Sequence, residues 1–174
     1  MYLIPSFCPR CGQPLGEAMV DGKERHVCSA CNFVYYLNPR VAAVTAVAGD
    51  SRLLLVKRGI NPAKGRWSFP GGFVDLGETV EEAARREAME ETGLKVDLSG
   101  ILGVYSHRET DVVVVAFAAT SSGDPIPGKE TMEVRWADRE ELPPLAFRHD
   151  PDILHLWQQW VDGRGTLFPS REGS

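Results

Sequence analysis

The stretch Gly72–Leu94 reads GFVDLGETVEEAARREAMEETGL, and it decides the fold and the chemistry expected of this chain. Good helix formers fill Thr79–Glu91, and Gly93 stands where a left-handed cap ends a helix. At about 100° per residue, three glutamates share one face of this helix. They are Glu87, Glu90 and Glu91.

Small and aliphatic residues lie on the same side of the predicted helix as these carboxylates. They are Val80, Ala83 and Ala84, whereas Glu82, Arg85 and Met89 project away. A Glu-rich helix ordinarily shows its charged face to solvent, but this pattern predicts that the acidic face turns inward. Crowded carboxylates repel each other and lose hydration, and Arg86 can neutralise only one of them, at i to i+4 from Glu90. A hard cation, Mg²⁺ or Mn²⁺, would resolve the conflict.

Turn residues precede the helix, in Phe69-Pro70-Gly71-Gly72 and Gly77-Glu78. Adjacent glycines let the backbone approach a ligand or a metal closely. Glu78 stands at the helix entrance, where a carboxylate either caps the first turn or adds a metal ligand. We expect the loop and the helix to form one site.

The stretch resembles the signature of the Nudix hydrolases, G-x5-E-x7-R-E-U-x-E-E-x-G-U, in which U is an aliphatic residue. The matching residues are Gly72, Glu78, Arg86, Glu87, Ala88, Glu90, Glu91, Gly93 and Leu94, of which Ala88 is smaller than usual. The resemblance implies an α/β protein with the Nudix α/β/α sandwich. It also implies an enzyme in which water attacks a diphosphate linked to another moiety.

The resemblance assigns roles to residues of this chain. The implied ligands of Mg²⁺ or Mn²⁺ are the Gly72 carbonyl, Glu78, Glu87, Glu90 and Glu91. Arg86 is expected to orient a neighbouring glutamate, either Glu90 or Glu78, and Glu90 is counted with the catalytic residues. The general base is left open among Glu87, Glu130 and Glu133.

Three residues near the motif are candidates for substrate binding. Arg58 follows a predicted strand, from which its guanidinium could reach a phosphate. Trp67 or Phe69 would stack on an adenine, unless the ring packs into the core.

Four cysteines near the start form the pattern C-x2-C-x16-C-x2-C, with Cys8, Cys11, Cys28 and Cys31. Two such knuckles are typical of a tetrahedral thiolate site for Zn²⁺, and four protein ligands make the metal structural. Two disulfides are the alternative, but paired knuckles make a poor disulfide framework.

Composition predicts an ordinary soluble protein. The chain has 174 residues, is 43% hydrophobic and carries a net charge of −5, which argues against nucleic acid or an anionic membrane as a partner. No run approaches the roughly 20 apolar residues that span a bilayer, and Met1–Phe7 lacks the pattern of a signal peptide. We expect a cytoplasmic protein, and the resemblance leaves a homodimer open.

The domain organisation expected is a zinc ribbon at 1–36, a Nudix domain at 37–165 and a C-terminal tail at 166–174. Hydrophobic patterning predicts the following strands and a closing helix. The strands are Val41–Ala48, Arg52–Lys57, Ile101–Ser106, Val112–Ala119 and Met132–Trp136, and the helix is Asp150–Val161.

A zinc ribbon before a Nudix domain resembles the NADH pyrophosphatases, which carry a Ser-Gln-Pro-Trp-Pro-Phe-Pro array. At the corresponding place this chain has Tyr105–Asp111, without that array. The ribbon, Asn38-Pro39 and Leu145-Ala-Phe147 look more like the plant-type pyrophosphatases acting on ADP-ribose and FAD. We therefore expect ADP-ribose or FAD as substrate, with release of AMP. NADH and nucleoside triphosphates are alternative substrates, and a non-catalytic ligand sensor or zinc-ribbon binding module is the alternative from another class.

Overall fold

The computed structural model describes residues 4–169, and the chain divides into two compact units, Met1–Pro39 and Arg40–Ser174. Residues 170–174, most of the predicted tail, lie outside the described residues. Inside them, Phe168 exchanges two backbone hydrogen bonds with Ile101, of 2.8 and 3.0 Å. This part of the predicted tail therefore pairs with the second unit.

The first unit is a three-stranded antiparallel sheet with the order β1-β2-β3. Its strands are β1 (Gly16–Val20), β2 (Lys23–Val27) and β3 (Val34–Tyr35). Asp21 and Gly22 form the first turn with φ of 49° and 73°, the left-handed values that a tight hairpin requires. The sequence patterns did not predict these short strands.

The four cysteine sulfurs of this unit all lie within 4.8 Å of one another. The Sγ–Sγ distances are 3.7 Å from Cys8 to Cys31 and 3.5 Å from Cys11 to Cys28. A disulfide requires about 2.05 Å, whereas tetrahedral Zn–S bonds of about 2.3 Å place sulfurs about 3.8 Å apart. The geometry fits zinc and excludes the two disulfides.

The buried side chains in the described part of this unit are two of the cysteines themselves, Cys8 and Cys28. So small a sheet buries too little apolar surface to fold unaided. A metal bound by the thiolates would therefore supply much of its folding free energy.

The second unit contains a mixed sheet and two helices. The strands are β4 (Arg40–Gly49), β5 (Arg52–Arg58), β6 (Trp67–Ser68), β7 (Gly71–Phe73), β8 (Asp97–Ser106), β9 (Val112–Thr120) and β10 (Thr131–Ala137); the helices are α1 (Val80–Thr92) and α2 (Asp150–Val161). The strand order is β10-β5-β4-β9-β8, with β6 paired to β5 and β7 to β4. Strands β4 and β9 are parallel, and the other pairs are antiparallel.

The sheet lies between the two helices because its central strand is apolar on both faces. On one face, Ala43 and Val47 of β4 belong to clusters that contain the buried alanines of α1. On the other face, Ala46 belongs to the cluster that contains Ile153 and Trp157 of α2. Alternating side chains on a strand point to opposite faces, so one apolar run supports both layers. The predicted α/β sandwich is confirmed.

A tight turn between β4 and β5 positions the site. Asp50 and Ser51 form this turn with φ of 48° and 63°. The two strands pair only next to the turn, through Gly49 with Arg52 and Ala48 with Leu53. Strand β5 then leaves β4 to pair with β6 and β10, and β7 takes its place, with Gly72 opposite Ala43. The Gly71-Gly72 backbone is thereby held beside α1.

The zinc assignment predicts that the isolated protein holds one Zn²⁺ per chain and that Cys28→Ser removes it. Loss of one thiolate opens the tetrahedral site, so residues 4–36 should lose protection from amide hydrogen exchange while the unit from Arg40 keeps it. Elemental analysis and hydrogen exchange measure both effects, with Ser29→Ala as the control from the same knuckle. Full zinc content in Cys28→Ser would contradict the assignment.

Candidate active site

Helix α1 begins and ends where the sequence predicts. Thr79 is the N-cap: its hydroxyl accepts a hydrogen bond from the Glu82 N–H (3.1 Å), while the Glu82 carboxylate accepts one from the Thr79 N–H (2.7 Å). This capping box satisfies two amides of the first turn. Gly93 ends the helix at φ 70°. Glu78 does not cap the first turn.

The inward acidic face is only partly as predicted. Ala83, Ala84 and Ala88 are fully buried against the sheet. The Glu87 side chain is 16% exposed, and Glu91 is partly buried. The prediction that Glu90 turns inward is wrong, because its side chain is 60% exposed to solvent. Glu81, which the helical pattern did not single out, is buried at 6% exposure.

Arg86 binds more carboxylates than expected. Its guanidinium donates two hydrogen bonds to Glu78 (2.7 and 3.0 Å) and one to Glu87 (2.8 Å), with a longer contact to Glu90 (3.4 Å). It also donates to the Phe73 carbonyl. Of the two expected partners, Glu78 makes the stronger contact with Arg86, because that contact is bidentate. This pairing lowers the pKa of Glu78 to about 2.

The Glu91 carboxylate is partly buried and is hydrogen-bonded to the backbone. Its Oε2 accepts a hydrogen bond from the Gly71 N–H at 2.9 Å. Burial raises the pKa of Glu91 to about 7, and the charges of Glu87 and Glu130 add to the rise, while the Gly71 N–H and Arg58 oppose it. Burial also raises the pKa of Glu87, against the effect of Arg86. Both groups favour a bound positive charge.

Gly72 lies directly against the Glu87 carboxylate. A Cβ at this position would overlap that carboxylate, so a larger residue would displace it. A Cβ on the neighbouring Gly71 would likewise overlap the Ala43 carbonyl. The two glycines allow the backbone of this turn to reach the acidic face of α1, as expected.

Of the two general-base candidates outside the helix, Glu130 and Glu133, only Glu130 acts on the acidic cluster formed by Glu87 and Glu91. Glu130 acts electrostatically on both Glu87 and Glu91. Glu133 lies opposite Lys57 on β5, and their side chains form an ion pair of 3.5 Å. Glu130 precedes β10, and the pairing register of β10 shifts between Thr131 and Glu133. The structure favours Glu130 over Glu133 as a residue of the site.

The two aromatic candidates do not lie at the acidic cluster. Phe69 is 3% exposed and belongs to the core under α2, which excludes it as a surface for stacking a base. Trp67 packs against that same core, on the face of the sheet opposite α1. Two cations lie over its ring, with Arg135 4.5 Å and Lys57 5.8 Å from the ring centroid. For Phe69 the packing alternative holds, because its ring is buried, whereas the stacking role of the partly exposed Trp67 stays a prediction.

Arg58 lies between the acidic cluster and a set of rings that the sequence did not single out. Its charge acts on Glu91 and on Asp150, and its guanidinium lies 5.1 Å from the centroid of the Phe147 ring. Two further rings continue the stack, His149 on Phe147 and Tyr105 on His149, each with centroids 6.0 Å apart. No spacing in the sequence indicates this stack, since its members come from a strand and a distant loop.

The donor set of the cluster fits a hard cation. Five carboxylates, those of Glu78, Glu87, Glu90, Glu91 and Glu130, stand against the guanidinium groups of Arg58 and Arg86. Oxygen donors of this kind suit Mg²⁺ or Mn²⁺. Within residues 4–169, however, only the four cysteines bring three or more ligand atoms within 4.8 Å of one another. The glutamate oxygens are therefore less closely gathered than the thiolates.

Such a site, an acidic helix facing a glycine turn, defines a class of metal-assisted hydrolases, and comparisons with known proteins identify the family. The NUDIX domain profile matches residues 37–158, and the Nudix N-terminal zinc-ribbon profile matches residues 6–37. The chain belongs to the Nudix family and is a Nudix pyrophosphohydrolase with a zinc ribbon.

Three similar proteins illustrate the relationship. An ADP-ribose pyrophosphatase of Methanocaldococcus jannaschii is 40% identical over 133 residues, 74% of this chain and 78% of that protein. The NAD-capped RNA hydrolase NudC of Chromobacterium violaceum is 35% identical over 150 residues, 82% of this chain but 55% of that protein. The crystal structure of a Nudix hydrolase from Nitrosomonas europaea superposes with a TM-score of 0.87 at 30% identity, covering 94% of this chain and 97% of that one.

Neither helix of residues 4–169 has the length and apolarity to cross a bilayer.

The raised pKa of Glu91 predicts how pH affects the stability of the metal-free protein. The folded-state pKa of about 7 exceeds the ordinary 4.5, so between these values the folded state holds more protons than the unfolded state. The contribution of Glu91 to the free energy of unfolding therefore falls as pH rises through this window. Chemical denaturation from pH 5 to pH 8 should show a smaller decline for Glu91→Gln than for wild type. The exposed control Glu140→Gln should follow wild type, and parallel curves for Glu91→Gln and wild type would contradict the assignment.

Proposed function

We propose that this protein is a Mg²⁺- or Mn²⁺-dependent hydrolase that cleaves the diphosphate of ADP-ribose or FAD and releases AMP. The observation that carries the proposal is the pair of carboxylates held against the Gly71-Gly72 backbone, Glu91 by the Gly71 N–H and Glu87 beside Gly72, with the charge of Glu130 acting on both. Burial raises the pKa of both Glu87 and Glu91, and a cation is needed between such carboxylates and a polyanionic substrate. The similarity to an archaeal ADP-ribose pyrophosphatase, which this chain covers to 78%, supports the substrate class.

The proposal gives each residue a task in the reaction. Glu87, Glu90 and Glu91 with the Gly72 carbonyl would hold the ion, which supplies charge neutralisation of the phosphates and a more acidic water. Arg86 keeps Glu78 and Glu87 in fixed orientations, and Gly71 N–H orients Glu91. We propose Glu130 as the general base, because Glu133 is paired with Lys57. Arg58 would bind a substrate phosphate.

NADH and related dinucleotides are a second candidate class of substrate. The chain resembles an NAD-capped RNA hydrolase over 82% of its length, so NADH or a related dinucleotide is the alternative. Against it, Tyr105–Asp111 lacks the Ser-Gln-Pro-Trp-Pro-Phe-Pro array of the NADH pyrophosphatases. A panel of ADP-ribose, FAD, NADH, diadenosine polyphosphates and nucleoside triphosphates, ranked by kcat/KM, distinguishes them. The proposal holds if ADP-ribose or FAD ranks first and fails if NADH or a triphosphate does.

The organisation proposed for this enzyme has a structural zinc ribbon at 1–36, the hydrolase domain at 37–165 and a tail at 166–174. We also propose that the protein is cytoplasmic.

The role of the helix glutamates predicts that Glu90→Gln and Glu91→Gln each lower kcat by about 10² or more, the scale for losing one key electrostatic contact. The assay measures AMP released from ADP-ribose with Mg²⁺, and Glu140→Gln, in an exposed turn, serves as the control. Near-normal rates in both variants would refute the role. Binding of ADP-ribose by wild type without any product would favour the ligand sensor.

The separation of the two distal glutamates predicts unequal effects. Glu130→Gln should lower kcat by about 10², because its carboxylate lies at the cluster. Glu133→Gln should change kcat by less than about 3-fold, since it breaks only a partly exposed ion pair with Lys57. Single-turnover kinetics on ADP-ribose compare them, and equal losses, or the reverse order, would contradict the assignment.

A further inference from the structure

The segment Ile126–Glu130, here called the strap, lies across the C-terminal end of α1. The Ile126 N–H donates to the Thr92 carbonyl (2.8 Å), and the Gly128 N–H donates to the Glu91 carbonyl (3.1 Å). The last turn of α1 carries no basic residue, so these two amides satisfy carbonyls that the helix itself leaves without partners. The strap is therefore attached to the same turn that carries Glu91.

Gly128 lets the strap approach the helix backbone. A Cβ on Gly128 would overlap the Glu90 carbonyl oxygen and lie 2.9 Å from its carbon and 3.2 Å from the Glu91 Cα. All three atoms belong to the main chain of a helix, which cannot yield as a flexible side chain can. Gly128 is not among the positive-φ residues, so the requirement for glycine at this position is space.

A second glycine holds the other end of the strap. The Gly59 N–H, just after β5, donates to the Glu130 carbonyl at 2.8 Å. A Cβ on Gly59 would lie 2.6 Å from that same oxygen. The backbone of Glu130 is thus held between the end of α1 and the end of β5.

The side chain of Glu130 shows what this attachment achieves. Its charge acts on both Glu87 and Glu91, although it is far from them in sequence. We propose that Gly128 is a positioning residue, which lets the strap lie against α1 and thereby fixes the Glu130 carboxylate at the cluster. This inference rests on the proposed function, because it gives Glu130 its position for that reaction.

A purely structural role for the strap makes a different prediction. If the strap only capped α1, Gly128→Ala would lower stability and disturb Glu90 and Glu91 whether or not residue 130 carries a carboxylate. If Gly128 acts through Glu130, its substitution should cost nothing more once that carboxylate is removed. A double-mutant cycle separates the two roles.

The experiment compares wild type, Gly128→Ala, Glu130→Gln and the double variant in two assays. The first is kcat and KM for ADP-ribose with Mg²⁺, and the second is Mn²⁺ affinity measured by electron paramagnetic resonance without substrate. We expect Gly128→Ala to lower kcat by about 10- to 100-fold, the scale of a misplacement near 1 Å, with KM changed by less than about 3-fold. Mn²⁺ affinity should fall in both single variants. In the Glu130→Gln background, Gly128→Ala should lower neither quantity further.

Additive losses in the double variant, or wild-type kcat and Mn²⁺ affinity in Gly128→Ala, would overturn the inference. So would a Glu130→Gln enzyme with full activity. Gly16→Ala is the matched control, since its Cβ would meet nothing closer than 3.9 Å and its φ is likewise not positive. Should Gly128→Ala fail to fold, Gly59→Ala enters the same cycle from the other end of the strap.

Failure of the proposed function gives a different result. A wild-type protein that hydrolyses no nucleotide of the panel refutes that function. The Mn²⁺ cycle still decides the strap: non-additive losses of affinity support it, and additive or absent losses overturn it.

Discussion

The interaction on which this structure depends is the repulsion between carboxylates that the fold itself forces together. The alanines of α1 bury against the sheet, and the side of the helix that they share with Glu87 and Glu91 turns inward with them. Burial removes water from these groups, and each negative charge then raises the free energy of the other. The fold thus uses apolar packing to hold like charges in place.

The helix makes this arrangement less stable still. Glu87, Glu90 and Glu91 occupy the last turns of α1, where the helix dipole is negative and no basic residue compensates it. Arg86 is bonded mainly to Glu78 and Glu87, whereas burial and the charges of Glu87 and Glu130 raise the pKa of Glu91. This excess of negative charge lowers stability, and the proposed role of holding a hard cation against a diphosphate accounts for it.

The metal site of the ribbon and the one proposed for the hydrolase unit differ in their ligands. The four thiolates lie at the spacing of a closed tetrahedron, which leaves no position for a substrate. The carboxylates are looser and partly open to solvent, as Glu90 shows. A closed site of four sulfur ligands suits a metal that stabilises the fold. A more open site of oxygen ligands suits a metal that takes part in catalysis.

Most of the sandwich could be predicted from sequence because local signals carry it. The cap at Gly93, the apolar run of β4 and the spacing of Ile153 and Trp157 report periods that a short window reveals. The side of the sheet taken by Phe69 could not be predicted, because it depends on how β6 pairs with β5. The different partners of Glu130 and Glu133 depend on how β10 pairs with β5, and the several partners of Arg86 depend on the return of the Glu78 loop. These are long-range facts that spacing along the chain does not contain.

The central claim is that the acidic face of α1 exists to hold a divalent cation, and a crystal of this protein soaked in Mn²⁺ tests it most directly. We predict an anomalous diffraction peak at this face, with oxygens of Glu87, Glu90, Glu91 and the Gly72 carbonyl about 2.1 Å away, as hard six-coordinate ions require. A map with no peak there at saturating Mn²⁺, or with the metal bound only elsewhere, would contradict it.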